Sequence, residues 1–547
     1  MKSKKFFAIL MLLALVLPIL AGCAGTETTP VAEEGAAEVA TEAAVVAEEP
    51  VATIADQVNV AIGADPADLS PFVGMSMGRI AVLHTIYEYL VDVPSMGAPW
   101  APWLASDVQQ VDDVTYDVTI FDYIYDSAGN HITASDVAWS YNTGIASGNL
   151  RPLGNVESVT VTGDYTVQFV FKNALGMGDL DKILSECPII SQAAFEASAD
   201  QFATTPVTTA AYVLTEFIPG SSLTFEARPD YWQTDESLRP AMTQANVQTI
   251  VFQIISEASQ HAIALQTGTA DISGSVSGDD ITMFQEGGSS ADGFTVFTFR
   301  DNLTQVLSFN GSEGSPFTSQ ELRQAVAYAI DTTAMCEAVA PGACFPAHTI
   351  GNANFGGYVA EWDDQPYYEF DLAQAQELFA AAGYEAGGLT VRLLAQNDAR
   401  SGLIAQIIQS QLLELGITVE INQVEPSVYN QLKLDPTAFD MIIDAAAGGD
   451  FAFSPWRLIF DQTMNNGTTS NWFLDNDLQV LLDTASSIAG YTPENLTAFN
   501  DYQKEMVYSY GLLSFANLVV SVEGITSVFR DGRGQIIPGA CEYSADF

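Results

Sequence analysis

The stretch GMSMG at residues 74–78 fits the spacing G-x-S-x-G, with Ser76 where a hydrolase would carry its nucleophile. That chemistry needs a strand directly before the serine and a helix after it. A helix is predicted to follow, but SPFV with Pro71 precedes, and the nearest strand pattern stops at Gly63. The other reading of GMSMG is a loop leading into the helix. Arg400, between a predicted strand and a predicted helix, and Arg79 could each meet a ligand carboxylate or form a structural ion pair. Trp472, in TTSNWFLDNDLQVLL, stands in a loop before a helix and could wall a pocket or fill a core. Trp139 and Tyr141 lie on or just past a helix face and read as core. FDMIIDAAAGGDFAFSP carries Asp450 in a loop between Gly449 and Pro455, where a carboxylate can cap a turn or pair with a cation. The four histidines are scattered and no C-x-x-C is present, so a zinc site of the usual spacing is absent and no metal or cofactor is expected.

The elements that would hold these groups can be read from periodicity. Val58, Val60 and Ile62 alternate as in a strand, and Ile80, Leu83, Ile86, Tyr87 and Leu90 follow at helical spacing. VTYDVTIFDYIYDSAGNH reads as a hairpin, followed by a helix opened by Thr133 and Asp136 as a capping box. Residues 156–171 hold another alternating pair about Gly163 and Asp164, and SLTFEARPDYW and VQTIVFQII are further strands. Past residue 305, helices take over. One is capped by Thr318 with Glu321, and another runs from Asp371 to a stop at Gly383. LTVRLLAQ, SGLIAQIIQSQLLELG and ITVEINQV form a strand–helix–strand unit, whose parallel crossover implies an α/β lobe. Two lobes are expected, the first richer in strands.

Lys2, Lys4 and Lys5 precede an apolar run over residues 6–22, which is short for a membrane span and has the layout of a secretory signal. Leu20-Ala21-Gly22-Cys23 resembles a bacterial lipobox, which implies cleavage before Cys23 and lipid on that cysteine; the other reading is an uncleaved anchor helix. Residues 23–54 are rich in Ala, Glu, Val, Thr and Pro with no aromatic, and are expected to form a disordered acidic tether, or else a stalk helix. The chain has 18 Lys and Arg against 68 Asp and Glu, which excludes nucleic acid as a partner. Cys336 and Cys344 lie eight apart around the turn-rich APGA, and a local disulfide is expected; Cys187 and Cys541 pair or stay as buried thiols.

Several of these stretches, taken in order, resemble family 5 solute-binding proteins of ABC importers, of the dipeptide-, oligopeptide- and nickel-binding type. They are VNVAIGADPADLSPF, IYEYLV, the Asp112-to-Tyr141 hairpin ending TASDVAWSY, ARPDYW, ALQTGTADI, Phe309-Asn310, LRQAVAYAID and FDLAQAQELFAAAGY. The resemblance implies a bilobal α/β fold of the periplasmic-binding-protein type, with two lobes joined by a two-segment hinge. Lobe I would take residues 55–300, with an extra subdomain at about 96–205, and the return segment 513–547. Lobe II would take 301–512. Ligand would sit between the lobes, Asp450 would receive a peptide's α-amino group, and the partners would be a permease and an ATPase. The chain would be a monomer and no enzyme, held outside the cytoplasmic membrane. Peptide is the first ligand class and oligosaccharide the second, since 7 Trp, 20 Tyr and 30 Phe stand against few cations. A metal chelate is third. A sensor or adhesin on the same fold is the alternative of another class, beside the Ser76 hydrolase.

Overall fold

The computed structural model describes residues 54–547 except 75, 94–99, 279, 287–288, 352, 365–367, 448–450 and 464–472. The leader, Cys23, the tether, Asp450 and Trp472 therefore lie outside the described residues.

The alternating apolar residues Val58, Val60 and Ile62 are buried in β1 (Ala55–Ile62). Ala61 between them is buried too, because parallel neighbours flank this strand and both its faces are covered. The helix α1 (Met77–Ile86) follows, but it stops earlier than its apolar spacing suggests. Tyr87 turns extended and its hydroxyl donates to the Leu69 carbonyl at 2.8 Å, while Arg79 takes a buried position and Ile80 only a half-buried one.

A separate antiparallel sheet is built from β2 (Ala105–Asp112), β3 (Thr115–Ile120), β4 (Val156–Val161) and β5 (Thr166–Phe171), in the order β2-β3-β5-β4. Alternation buries Tyr116, Val118, Ile120, Val167, Phe169 and Phe171. The helix α2 (Ala134–Ser147) covers this face: Tyr141 meets Phe169 edge-on at 4.7 Å, and Trp139 packs between Phe72 and Phe195. Its start is the capping box read from the sequence, with the Thr133 amide donating to Asp136 at 2.9 Å.

The other strands of the main sheet are β6 (Tyr212–Ile218), β7 (Ser222–Ala227), β8 (Val247–Ile254), β9 (Ile272–Ser273), β10 (Phe294–Phe309), β11 (Cys344–Pro346), β12 (Leu389–Gln396), β13 (Ile417–Val424), β14 (Met441–Ala447) and β15 (Ser509–Val522). With β1 they form one eleven-stranded sheet in the order β13-β12-β14-β10-β15-β9-β1-β8-β7-β6, with β11 beside β15. Two short helices matter below, α3 (Asp179–Leu184) and α4 (Gln320–Ala329), with α5 (Leu372–Ala381) and the crossover helix α6 (Ala399–Leu415) after them. The unit β12-α6-β13 is the parallel crossover expected, with Ile404, Ile408 and Leu412 buried and Gly416 at φ 92° closing the helix. Asp371 caps α5 by accepting from the Gln374 amide at 3.0 Å.

One cap moves by a residue from its expected place. Thr318 ends a tight turn over Pro316–Thr318, so Ser319 caps α4, accepting from the Leu322 amide while its hydroxyl donates to Glu321 at 2.9 Å.

The molecule is bilobal, with lobe cores on either side of β10 and β15. One core gathers residues from β1 through β9 with Val519, Ile525, Val528, Ile537 and Cys541. The buried residues of two others all fall between Val306 and Phe515. Both long strands run through the change of core. Phe294–Arg300 pair with Val522–Ala516, then the register slips, and Thr304–Ser308 pair with Ser514–Ser509. Cys336 and Cys344 are bridged, with Cα atoms 5.3 Å apart, and Cys187 and Cys541 are buried free thiols.

The residues that carry the family resemblance tie loops to cores. Glu88 of IYEYLV is buried and accepts from Tyr231 Oη at 2.6 Å and Trp232 Nε1 at 2.9 Å, both from ARPDYW. Arg228 of that same motif donates to the carbonyls of Thr208, Thr209, Ala210 and Asp126. Asn310 donates to the carbonyls of Pro436 and Phe439, and Arg323 of LRQAVAYAID donates to those of Phe317, Thr318 and Met506. Buried carbonyls at loop ends need such donors.

Candidate functional site

The strands β1, β8 and β9 are mutually parallel and end together at Ile62, Ile254 and Ser273. The carboxyl edge of a parallel sheet is a natural ligand crevice, because chain leaves it in opposite directions. Here Gly63-Ala64 leaves β1 and Gly274-Ser275 leaves β9, and these small residues line a compartment of about 500 Å³ with Met77, Asn517 and Ile536. Asn517 and Gly534 line a second compartment as well, of about 510 Å³, so the two adjoin. The second takes its walls from both sides of the crossing: Phe299–Asn302 where β10 slips register, Ala353–Phe355, and the turn Arg530–Gly534.

This second compartment gathers cations in a chain that has few. Lys2, Lys4 and Lys5 aside, fifteen basic residues remain, and Arg300, Arg530 and Arg533 line it together with Asp301 and Asp531. Arg530 lies over the Phe299 ring at 4.6 Å and donates to the Gly534 carbonyl at 2.7 Å; burial lowers its pKa. Arg300 lies over Phe345 at 4.8 Å and faces Asp363 at 3.4 Å, which also accepts from Tyr358 Oη at 2.9 Å. Asn354 braces the slip by donating to the Arg300 carbonyl at 2.7 Å and to Asn302 at 2.9 Å. Each guanidinium thus already has partners, and the charge and fork geometry it keeps against a ring let it meet a further carboxylate.

Away from the crossing, lobe I meets lobe II again at Gly178, ahead of α3. Gly178 has φ 77°, and a Cβ there would overlap the ring of Phe451. Phe451 is stacked on Phe453 at 5.4 Å and edge-on to Tyr491, and Met177 packs on the same lobe II cluster.

The residues singled out in the sequence separate in space. Arg79 is 3 % exposed, and its guanidinium donates to the carbonyls of Asp68 and Ser70, so it braces the loop before α1 instead of reaching a ligand. Arg400 is exposed in the first turn of α6, where the helix dipole disfavours a cation, and lies over the Phe515 ring of β15 at 4.5 Å. It does not line the two compartments. Ser76 caps α1, its Oγ accepting from the Arg79 amide at 3.4 Å, and β1 ends well before it, so the strand of a nucleophile elbow is missing. Ser76→Ala is expected to cost about 1 kcal/mol in chemical denaturation through the lost cap. A fluorophosphonate probe is expected to label neither protein; labelling of Ser76 would restore the hydrolase reading. Among the described residues, no three His, Cys, Asp or Glu side chains stand together as a metal site, and no helix is long and apolar enough to cross a membrane.

Sequence reasoning missed Arg300, Arg530 and Gly178. The only trace of the arginines was the rarity of basic residues.

Residues 100–467 match the profile of the family described as bacterial extracellular solute-binding proteins, family 5 middle. The chain belongs to this family. The matched region takes in the separate sheet, the crossing strand β10 and the lobe II strands β12 to β14. Among curated family relatives, di/tripeptide-binding protein 1 of Pseudomonas aeruginosa is 24% identical over 333 residues, 58% of this chain and 55% of that protein. The alignment thus spans about half the length of that relative. A glutathione-binding protein of Escherichia coli is 22% identical over 377 residues, 67% of this chain and 69% of the relative. Among solved structures, the unliganded open form of a periplasmic murein tripeptide-binding protein superposes with a TM-score of 0.77 at 18% identity, covering 90% of this chain and 99% of that one.

Proposed function

We propose that this chain is the substrate-binding component of an ABC importer and captures short peptides between its two lobes. The observation that carries this reading is the compartment floored by Arg300 and Arg530, built from both lobes where β10 and β15 slip register. Bending at the slip would close the lobes over a peptide, and a ligand that binds the closed form better favours it without any catalytic step. The arginine end suits a carboxylate. Asp450, in the loop that leads to Phe451, is the complementary anion for the peptide's ammonium. The relatives named for di- and tripeptides, glutathione and a murein tripeptide support peptides of this size. Trp472 joins this proposal from its sequence alone, as an aromatic ligand contact. Lipid on Cys23 would keep a monomeric receptor beside its permease and ATPase, outside the cytoplasmic membrane.

Native mass spectrometry of the freshly purified protein tests the ligand class. Bound species resolving into short peptides support the reading, whereas a hexose ladder would replace it with an oligosaccharide. Asp450→Ala is expected to weaken a free-amine dipeptide by at least about tenfold in calorimetry, roughly 1.4 kcal/mol. Equal affinity for both proteins would remove Asp450 from the site.

A further inference from the structure

Lobe I holds a further cavity, of about 280 Å³, behind the turn at 530–534. Its walls come from α1 (His84), the segment Tyr89–Val93, Trp103, the end of α3 (Lys182 and Glu186) and Gly532-Arg533. Much of its charge is internally matched. Glu186 accepts from Arg533 at 2.7 Å, and His84 Nδ1 lies 2.8 Å from Asp531 Oδ2. Two groups are not matched, and they have opposite character. Asp92 is 1 % exposed, and its Oδ1 has no hydrogen-bond partner among the described residues. Trp103 is 2 % exposed and its Nε1, a donor only, has none among the described residues either.

A buried carboxylate oxygen without a hydrogen bond is costly, although His84 nearby favours the ionised form. Burial, the largest influence on Asp92, raises its carboxyl to about 6, so it is still mostly ionised near neutral pH. Tyr89 and Trp103, with ring centres 5.5 Å apart, line the same cavity as Asp92, and aromatic walls are compatible with an ammonium there. The indole N–H, with the guanidinium of Arg533 and the ammonium of Lys182 on the same cavity, suits an anion. The volume is near the lower end for a small-molecule site, too small for a peptide of several residues.

We propose that this cavity, which shares Gly532 and Arg533 with the wall of the arginine-lined compartment, is a further binding site that takes a compact zwitterion with an ammonium and a carboxylate a few bonds apart, as in a free amino acid. The ammonium sits on Asp92 and the carboxylate on Trp103 Nε1. The proposal does not depend on the cleft binding peptide.

Calorimetry on the full purified chain, freed of small molecules by unfolding and refolding under dialysis, tests it with three probes. L-alanine carries both charges, ethylammonium only the cation and propionate only the anion. L-alanine is expected to bind more tightly than either half. Asp92→Asn is expected to weaken L-alanine by at least about tenfold, and Trp103→Phe, which keeps the ring and removes the donor, by a smaller factor. A thermal melt of each variant checks folding. The proposal is overturned if no probe binds the wild-type protein, which would leave a water-filled cavity bridging the two groups. It is equally overturned if ethylammonium binds as well as L-alanine, or if folded Asp92→Asn binds L-alanine undiminished.

Discussion

Gly178→Val is expected to weaken peptide capture by at least about tenfold while the protein remains folded. Two costs act at this position. With φ at 77°, the backbone occupies the left-handed region, where a side chain costs roughly 1–2 kcal/mol. That part falls on lobe I whether or not ligand is bound, and is expected to lower the melting temperature by a few degrees. The second cost falls only where the lobes touch. A Cβ at residue 178 would overlap the Phe451 ring, which its stacking on Phe453 and its edge contact with Tyr491 keep from swinging aside. Any arrangement that brings the lobes together here becomes dearer relative to one that holds them apart, and ligand affinity falls by that difference. Calorimetry with a dipeptide, beside a thermal melt, separates the two costs. Unchanged affinity would mean that ligand capture does not need this contact.

Arg323→Met is expected to remove about 3–4 kcal/mol of stability, measured by urea denaturation followed by fluorescence. Arg323 is 2 % exposed, and no carboxylate forms a salt bridge with it among the described residues; burial lowers its pKa to about 10, so it keeps its charge at neutral pH. It donates to the carbonyls of Phe317 and Thr318 at 2.8 and 3.2 Å, and to that of Met506 at 2.9 Å, and it lies about 5 Å from the centres of the Phe473 and Tyr508 rings, which stack on each other. Methionine preserves much of the apolar stem but leaves three inward-facing carbonyls without donors. Arg323→Lys is expected to recover part of the loss, since an ammonium can reach some of the carbonyls but lacks the fork and the flat face. A loss below about 1 kcal/mol for Arg323→Met would show that water replaces the guanidinium there.

Much of the architecture could be read locally. The strand–helix–strand unit at 389–424 announces itself by alternation, an apolar helical stripe and Gly416, all within one stretch of chain. The caps at Thr133 and Asp371 did so too, whereas Ser319 displaced Thr318 because the preceding turn had already taken the threonine. The two-lobe organisation was visible through the family resemblance, whose motif residues Glu88, Arg228, Asn310 and Arg323 prove to be loop anchors. The candidate site was far less legible. Arg79 and Arg400 were chosen because cations are rare, yet rarity does not say which arginine is enclosed by carbonyls and which faces a cleft. What places Arg300 and Arg530 is contact with Phe345 and Phe299, and what constrains Gly178 is Phe451, so each role is set by a partner remote in sequence.

The distribution of the cores along the chain also sets an order of assembly. The lobe II clusters draw on one unbroken stretch, residues 306–515, whereas the lobe I cluster needs Val519 through Cys541 to join residues that begin at Ala55. Local closure is cheaper and faster than closure across the whole sequence. A chain threaded through a membrane from its amino end would thus present its first lobe early and complete it last. Until the final thirty or so residues arrived, that lobe would expose unpaired apolar strand, which is the condition in which chains aggregate or recruit chaperones.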